Sequence, residues 1–166
     1  MASGFSVHKK IFDGITVEFD RLLAFWRFKN YKIVFTNGCF DILHMGHIDY
    51  LYKAAELGDI LVVGLNSDAS VTRIKGQGRP INGWEARANI LASLQMIDAV
   101  VKFEDDTPIE LIKHITPDIL VKGADYKPEN IVGADWVMDN GGEVVTLPYL
   151  KEYSTTLIEE RIRQGR

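Results

Sequence analysis

From Lys32 onward, the apolar residues of this chain fall into two alternating textures. Short, nearly continuous, β-branched runs lie at Ile33–Thr36, Ile60–Leu65, Ala99–Phe103, Ile119–Val121 and Val144–Leu147. A run without polar alternation predicts a strand buried on both faces, as in a parallel sheet. Between these runs the apolar positions take helical spacing. Met45, Ile48, Leu51, Tyr52 and Ala55 predict one apolar stripe, and Ile90, Leu91, Leu94 and Met96 a second. Gly58 stands where a helix C-terminal cap is expected. Thr107-Pro108 opens a third helix, with proline in the tolerated first turn. Residues 16–29, with Val17, Leu22, Leu23, Phe25 and Trp26, predict a helix ahead of the first strand, and residues 1–15 carry no readable pattern.

Strands alternating with helices build βαβ units. The predicted fold class is therefore α/β: a Rossmann-like open parallel sheet of five strands with helices on both faces. No internal repeat, linker or low-complexity tract interrupts the pattern. A length of 166 residues suits one domain, residues 1–166. Within it, residues 1–30 form an N-terminal extension and helix, and residues 31–163 the core.

Composition narrows the partners. Lys and Arg number 19 against 23 Asp and Glu, a net charge of −4, which disfavours a nucleic-acid or general polyanion partner. A small anionic substrate needs only a local cluster of cations. The single cysteine, Cys39, excludes an intramolecular disulfide and fits a reducing compartment. No basic start with an apolar run and cleavage site is visible, and no apolar stretch approaches the ~20 residues of a membrane helix. The expectation is a cytoplasmic protein with no membrane partner.

In an open α/β sheet, ligands bind outside the carboxyl ends of the strands. The segment after the first strand reads Thr36-Asn-Gly-Cys-Phe-Asp-Ile-Leu-His-Met-Gly-His47. Asn37-Gly38 predicts a turn with free backbone N–H groups, ahead of a helix whose N-terminus is electropositive. His44 and His47, three apart, share a helix face, and Gly46 leaves room for a phosphate to approach the backbone. Two donors and a helix dipole aimed at one point suit a polyphosphate undergoing substitution. A metal pair is a poorer reading, since the spacing is not that of H-E-x-x-H and no third ligand is evident. The dinucleotide fingerprint G-x-G-x-x-G is absent. Elsewhere, Lys75, Arg79 and Arg87 bring three cations around a loop carrying Gly76 and Gly78. Asn66-Ser67-Asp68 ends the second strand and reads equally well as a helix cap.

The string Asn37-Gly-Cys-Phe-Asp-Ile-Leu-His-Met-Gly-His47 resembles the H-x-G-H signature of a nucleotidyltransferase superfamily that includes the catalytic domains of class I aminoacyl-tRNA synthetases. Gly64-Leu-Asn-Ser-Asp68, Lys75-Gly-Gln-Gly-Arg-Pro80, Val121-Lys-Gly-Ala-Asp-Tyr126, Gly141-Gly-Glu-Val144 and Ser154-Thr-Thr156 follow in family order. Together they cover about residues 30–163 and look most like the adenylyltransferases of ADP-heptose synthesis. Glycerol-3-phosphate and ethanolamine-phosphate cytidylyltransferases are similar but further away. No kinase segment precedes the core, so the expectation is a stand-alone enzyme or one half of a bifunctional one.

The resemblance implies an activity and a set of residues. AMP would pass from ATP to a sugar 1-phosphate (heptose 1-phosphate) by direct in-line attack, with Mg²⁺ carried mainly on the triphosphate and no metal site of the protein's own. His44, His47 and Lys75 are the implied catalytic residues. Asn37, Gly38, Cys39, Phe40, Asp41 and Gly46 would line the nucleotide site, with Asn66 and Asp68 beside them. Lys75 and Arg87 match the lysine and helix arginine that serve the phosphates in the similar cytidylyltransferases, and Arg79 matches less closely. Lys122, Gly123, Asp125 and Tyr126 would form a loop against the nucleotide. Ser154, Thr155 and Thr156 would meet its phosphates at a helix start, where one hydroxyl is needed merely as a cap. Ala124 and Pro128–Asp135 are expected to line or flank the acceptor. Asp41 is expected to orient a histidine or the first helical turn, and Cys39 to be a small buried side chain. The family implies a homo-oligomer. Competing readings are a cytidylyltransferase, a regulatory nucleotide-binding module and a tRNA-ligating enzyme.

Overall fold

The computed structural model describes residues 6–124, 130–150 and 152–165. Its strands are β1 (Ile11–Phe12), β2 (Ile33–Gly38), β3 (Ile60–Asn66), β4 (Ala99–Phe103), β5 (Ile119–Gly123) and β6 (Glu143–Leu147). All are parallel, in the order β1-β4-β3-β2-β5-β6. The five predicted runs are all strands, and β1 corrects the expected count to six. It lies in the stretch without readable pattern because two residues are too few to display a period. Pairing of Ile11 with Val100 and Phe12 with Val101, and burial of the Phe12 ring, make the strand.

Helices α1 (Val17–Phe28), α2 (Met45–Ala55), α3 (Asp68–Lys75), α4 (Trp84–Ala92), α5 (Ile109–Ile115), α6 (Ala134–Asp139) and α7 (Thr155–Arg163), with a short 3-10 helix at Val7–Lys10, complete the described elements. The continuous apolar runs divide by alternation between two cores, as a sheet covered on both faces requires. Ile33, Phe35, Val62, Val101 and Leu120 pack with Phe19, Leu23 and Trp26 of α1 and with α5 and α6. Val34, Leu61, Val63, Val100 and Val121 pack with α2 and α4. Helix α1 begins where the Thr16 hydroxyl accepts from Phe19 N at 3.2 Å.

Three predicted details differ. The buried stripe of α2 is Gly46, Tyr50, Leu51 and Ala54, while Met45 and Tyr52 are exposed. The tyrosine at position 50 faces inward because its hydroxyl finds a buried partner in Thr36, at 2.7 Å. Helix α4 ends at Ala92, so Leu94 and Met96 pack from the turn beyond it. Gly58 does not cap α2, whose C-cap is Glu56. A Cβ at Gly58 would lie 2.6 Å from the Lys32 carbonyl, and that close approach accounts for the glycine.

The topology decides where a ligand can enter. From β2 the chain moves outward through β3 to β4, then returns to place β5 on the other side of β2 and β6 beyond it. Strand order therefore reverses between β2 and β5, and the loops leaving their carboxyl ends diverge to opposite faces. That divergence opens a crevice.

Candidate active site

A cleft of about 450 Å³ occupies this crevice. Asn37 and Gly38 line it as the last residues of β2, in register with Gly64 and Leu65 of β3. They are strand and not the predicted turn, because the neighbouring strand takes up their backbone. Lys122 and Gly123 line it from the end of β5, and the Lys122 ammonium donates to Asn37 Oδ1 across the reversal point. Cys39, Phe40 and Asp41 continue the wall from the β2–α2 loop, with Asn66 from the end of β3. Cys39 is half-buried, not fully enclosed as expected, and burial pushes its thiol above the ordinary range.

The two histidines meet. His44 is the N-cap of α2, not a residue of its face, and His47 lies in the first turn. Their rings stack with centroids 3.8 Å apart, and Phe40 packs edge-on against His47 at 5.2 Å. His47 lines the cleft, and His44, stacked on it, is not among the lining residues. Burial above all, then the neighbouring His44 and Lys75, pushes the His47 imidazole down to about 4. Burial also lowers His44. Both Nδ1 atoms are buried with no hydrogen-bond partner among the described residues. An N–H orphaned there would cost more than an orphaned lone pair, so each neutral ring carries its proton on Nε2. Gly46 serves this pair in an unexpected way. A Cβ there would lie 3.1 Å from the His44 ring and 3.3 Å from Tyr153 Cβ, so the space is taken by side chains.

Of the three predicted cations, only Lys75 lines the cleft; it is the last residue of α3 and is exposed. Arg87 is 1% exposed and donates to the carbonyls of Cys39 at 2.7 Å, Asn66 at 2.9 Å and Asn82 at 2.9 Å. It also pairs with Asp68 at 2.7 Å. Its role in this structure is to tie three loops together behind the cleft wall. Asp68 belongs to the same clamp, since its second oxygen accepts from Trp84 N at the start of α4. Arg79 donates to Asp41 Oδ2 at 2.8 Å and pairs with Glu159 of α7.

Asp41 thus orients neither a histidine nor the start of α2. Its carboxylate accepts from Arg79 and from the N–H groups of Ile81 and Asn82, and so pins the loop that follows α3. Burial opposes its ionisation, but the Asn82 and Ile81 N–H groups and Arg79 hold the carboxyl below its usual range.

The hydroxyl triplet divides by task. Ser154 caps α7, accepting from Leu157 N at 3.1 Å. Thr155 lines the cleft, and Thr156 is exposed outside it. Asp125 and Tyr126 lie outside the described residues.

Several lining residues escaped the sequence reading. Tyr149 packs its ring so closely on Gly123 that a Cβ there would lie 2.1 Å from Cε2. Tyr50, Ile74 and Asp106 also line the cleft, with Thr107 and Pro108, predicted only as a helix start. Asn130, Ile131 and Val132, inside the stretch expected to flank an acceptor, also line the cleft. The signal that could have found Tyr149 is its position just past a strand end, on the edge where ligands bind.

A family model described as cytidylyltransferase-like matches residues 35–161. The chain is 53% identical over 146 residues to the bifunctional protein HldE of Nitrobacter hamburgensis, covering 88% of this chain and 30% of that protein. It is 59% identical over 132 residues to the HldE of Nitratiruptor sp., covering 80% and 28% respectively. It is 54% identical over 144 residues to that of Campylobacter jejuni, covering 87% and 30%. The chain thus spans under a third of the length of these curated relatives. Among solved structures it resembles a lipopolysaccharide core biosynthesis protein from Thermoplasma volcanium, at 29% identity and a TM-score of 0.58, over 75% of this chain and 99% of that one. A pantoate-beta-alanine ligase from Francisella tularensis shares the fold at 19% identity, with a TM-score of 0.58 over 90% and 75% of the two chains.

Proposed function

This chain belongs to the cytidylyltransferase-like family, and from that premise we propose that it transfers AMP from ATP to a heptose 1-phosphate, releasing pyrophosphate. The observation that carries the proposal is His47, with His44 stacked on it, lining with Lys75 and Lys122 the crevice where strand order reverses. The base and sugar rest on the motif strings read above and on the HldE identities. The Thermoplasma neighbour's description as a lipopolysaccharide core biosynthesis protein agrees with that acceptor.

A phosphate oxygen of the sugar 1-phosphate attacks the α-phosphorus of ATP in line. The bond from that phosphorus to the bridging oxygen breaks, its electron pair leaves with pyrophosphate, and a P–O–P linkage forms to the sugar phosphate. The nucleophile is already anionic, so no side chain need remove a proton. Catalysis is positioning and charge stabilisation. Neutral imidazoles with Nε2–H donate to oxygens that gain charge in the transition state. In a chain of net negative charge, Lys75 and Lys122 bring positive charge to the nucleotide phosphates. Thr155 adds a hydroxyl from the start of α7. Ile131, Val132 and Pro108 give the cleft apolar lining for a base or sugar face.

The donor set fits a Mg²⁺ ion carried on the nucleotide. Asp41 lines the cleft, but its two oxygens already accept from Arg79, Ile81 and Asn82. Asp106, whose Oδ1 accepts from Arg73 Nε at 2.7 Å, also lines the cleft and would help to hold the ion, which needs only one or two protein ligands beside phosphates. Bound there, the ion would neutralise phosphate charge and make the α-phosphorus easier to attack.

The test is pyrophosphate release with Mg²⁺, crossing ATP and CTP against heptose 1-phosphate, glycerol 3-phosphate and phosphoethanolamine. Turnover confined to ATP with heptose 1-phosphate is the expected result. Turnover with CTP would overturn the base and acceptor, and no turnover with no nucleotide binding would overturn the reaction.

A further inference from the structure

Helix α7 delivers Thr155 to the cleft, yet it buries none of its residues fully; Leu157 and Ile158 are only half-buried. A nine-residue helix is marginal in water without tertiary support. The question is what holds it in place. One contact is Tyr153, just ahead of the helix, whose Cβ lies against Gly46. The other is ionic. Arg79 reaches from the glycine-rich loop between α3 and α4 and pairs at once with Asp41 and with Glu159.

Arg79 is itself firmly mounted. Its guanidinium rests on the fully buried Asp41 carboxylate at 2.8 Å, and its carbonyl accepts from the Thr72 hydroxyl at 2.6 Å. The next residues, Ile81 and Asn82, donate to the other Asp41 oxygen at 2.8 and 2.9 Å. Asn82 is in turn gripped by Arg87. The Arg79 and Glu159 side chains are 19% and 22% exposed, so their attraction is less screened than that of a surface pair. Arg163, also near Glu159, is 78% exposed and 3.8 Å away, and adds little. Glu159 follows Thr155 by four residues, one helical turn, so the two share a face. Fixing Glu159 fixes the height and rotation of Thr155. Neither Arg79 nor Glu159 lines the cleft.

We propose that Arg79 and Glu159 are a positioning pair for the nucleotidyl-transfer reaction, holding α7 so that Thr155 meets the nucleotide phosphates. The inference rests on the proposed function for its chemistry and on the ion pair for its mechanics. It also reassigns Arg79, which the sequence places among the phosphate-binding cations. The pair acts through Thr155, so damage to either partner is damage to Thr155's placement.

The experiment compares wild type with Glu159→Gln, Thr155→Ala and the double variant, reading KM for ATP, kcat and amide hydrogen exchange. Glu159→Gln is expected to raise KM for ATP about tenfold with the larger effect on KM than on kcat. Exchange should quicken across residues 155–163 while β2 and β3 keep their protection. The double variant should be no worse than the poorer single one, since Thr155 is already misplaced. Fully multiplicative losses, or unchanged exchange in α7, would overturn the pair. If no variant and no wild type turns over ATP, the proposed function fails, and the exchange comparison still decides the pair by itself.

Discussion

The His47 ring stacks on His44, meets Phe40 edge-on and lines the cleft. Its buried imidazole is held down to about 4 by that burial first, and by His44 and Lys75 after it. Between that value and the ordinary 6.5, the unfolded chain binds a proton that the folded chain does not. Stability is therefore expected to be full above 6.5 and to fall as pH drops toward 4, in urea titrations read across that window. His47→Asn should flatten the slope. Asp41 acts in the same sense lower down, losing its contribution as pH falls below its ordinary 3.8, so the two stages separate. Activity has a companion expectation. His44→Ala and His47→Ala should each lower kcat by roughly 10²–10³, the cost of one lost transition-state donor, read as pyrophosphate release. Near-normal turnover in both would end the mechanism proposed here. The histidines were legible because spacing along three residues is local. The roles of Asp41, Arg79 and Arg87 were not, since residue type announces charge and says nothing of its partner.

At the scale of elements, the site is made where strand ends meet the loops of other strands. Gly123 ends β5, and the Tyr149 ring from beyond β6 lies against it. Gly123→Ala would put a methyl about 2.1 Å from that ring and force it away. Overpacking of this kind costs roughly 1–3 kcal/mol. Replacing Tyr149 with Ala in the same chain should remove most of that penalty, so a double-mutant cycle in urea should show strong coupling; additive losses would refute the contact. Arg87 is the corresponding device on the β3 side. Arg87→Met leaves three carbonyls without their donor, and at about 1 kcal/mol or more each, a loss of roughly 2–4 kcal/mol is expected by chemical unfolding. The strands were readable because apolar runs and β-branching are local signals. The clamp was not, because its acceptors at residues 39, 66 and 82 converge only through the fold. Position 68 shows the same limit: its carboxylate caps α4, sixteen residues away, and not the helix it opens.

At the scale of the molecule, the sheet separates what stabilises from what reacts. The cleft lies between β2 and β5, and β1 lies at the far edge beyond β3 and β4. The open α/β plan and the site's edge were legible from the order of strands and helices, which topology rules turn into a crevice. The edge strand was not, because its two residues acquire strand geometry only by pairing with Val100 and Val101. That division has a measurable consequence. Removing residues 1–12 deletes β1, the Phe12 ring packed 5.2 Å from Phe19, and the Lys10 ammonium that donates to the Ile97 carbonyl at 2.6 Å. Loss of the buried phenylalanine alone is worth roughly 1.5–3 kcal/mol. The truncated chain should unfold at a lower urea concentration, yet keep the wild-type kcat for pyrophosphate release at temperatures where it stays folded. A fall in kcat with the fold intact would mean that the far edge of the sheet is coupled to the crevice, and that β2 and β5 do not set the site's geometry by themselves.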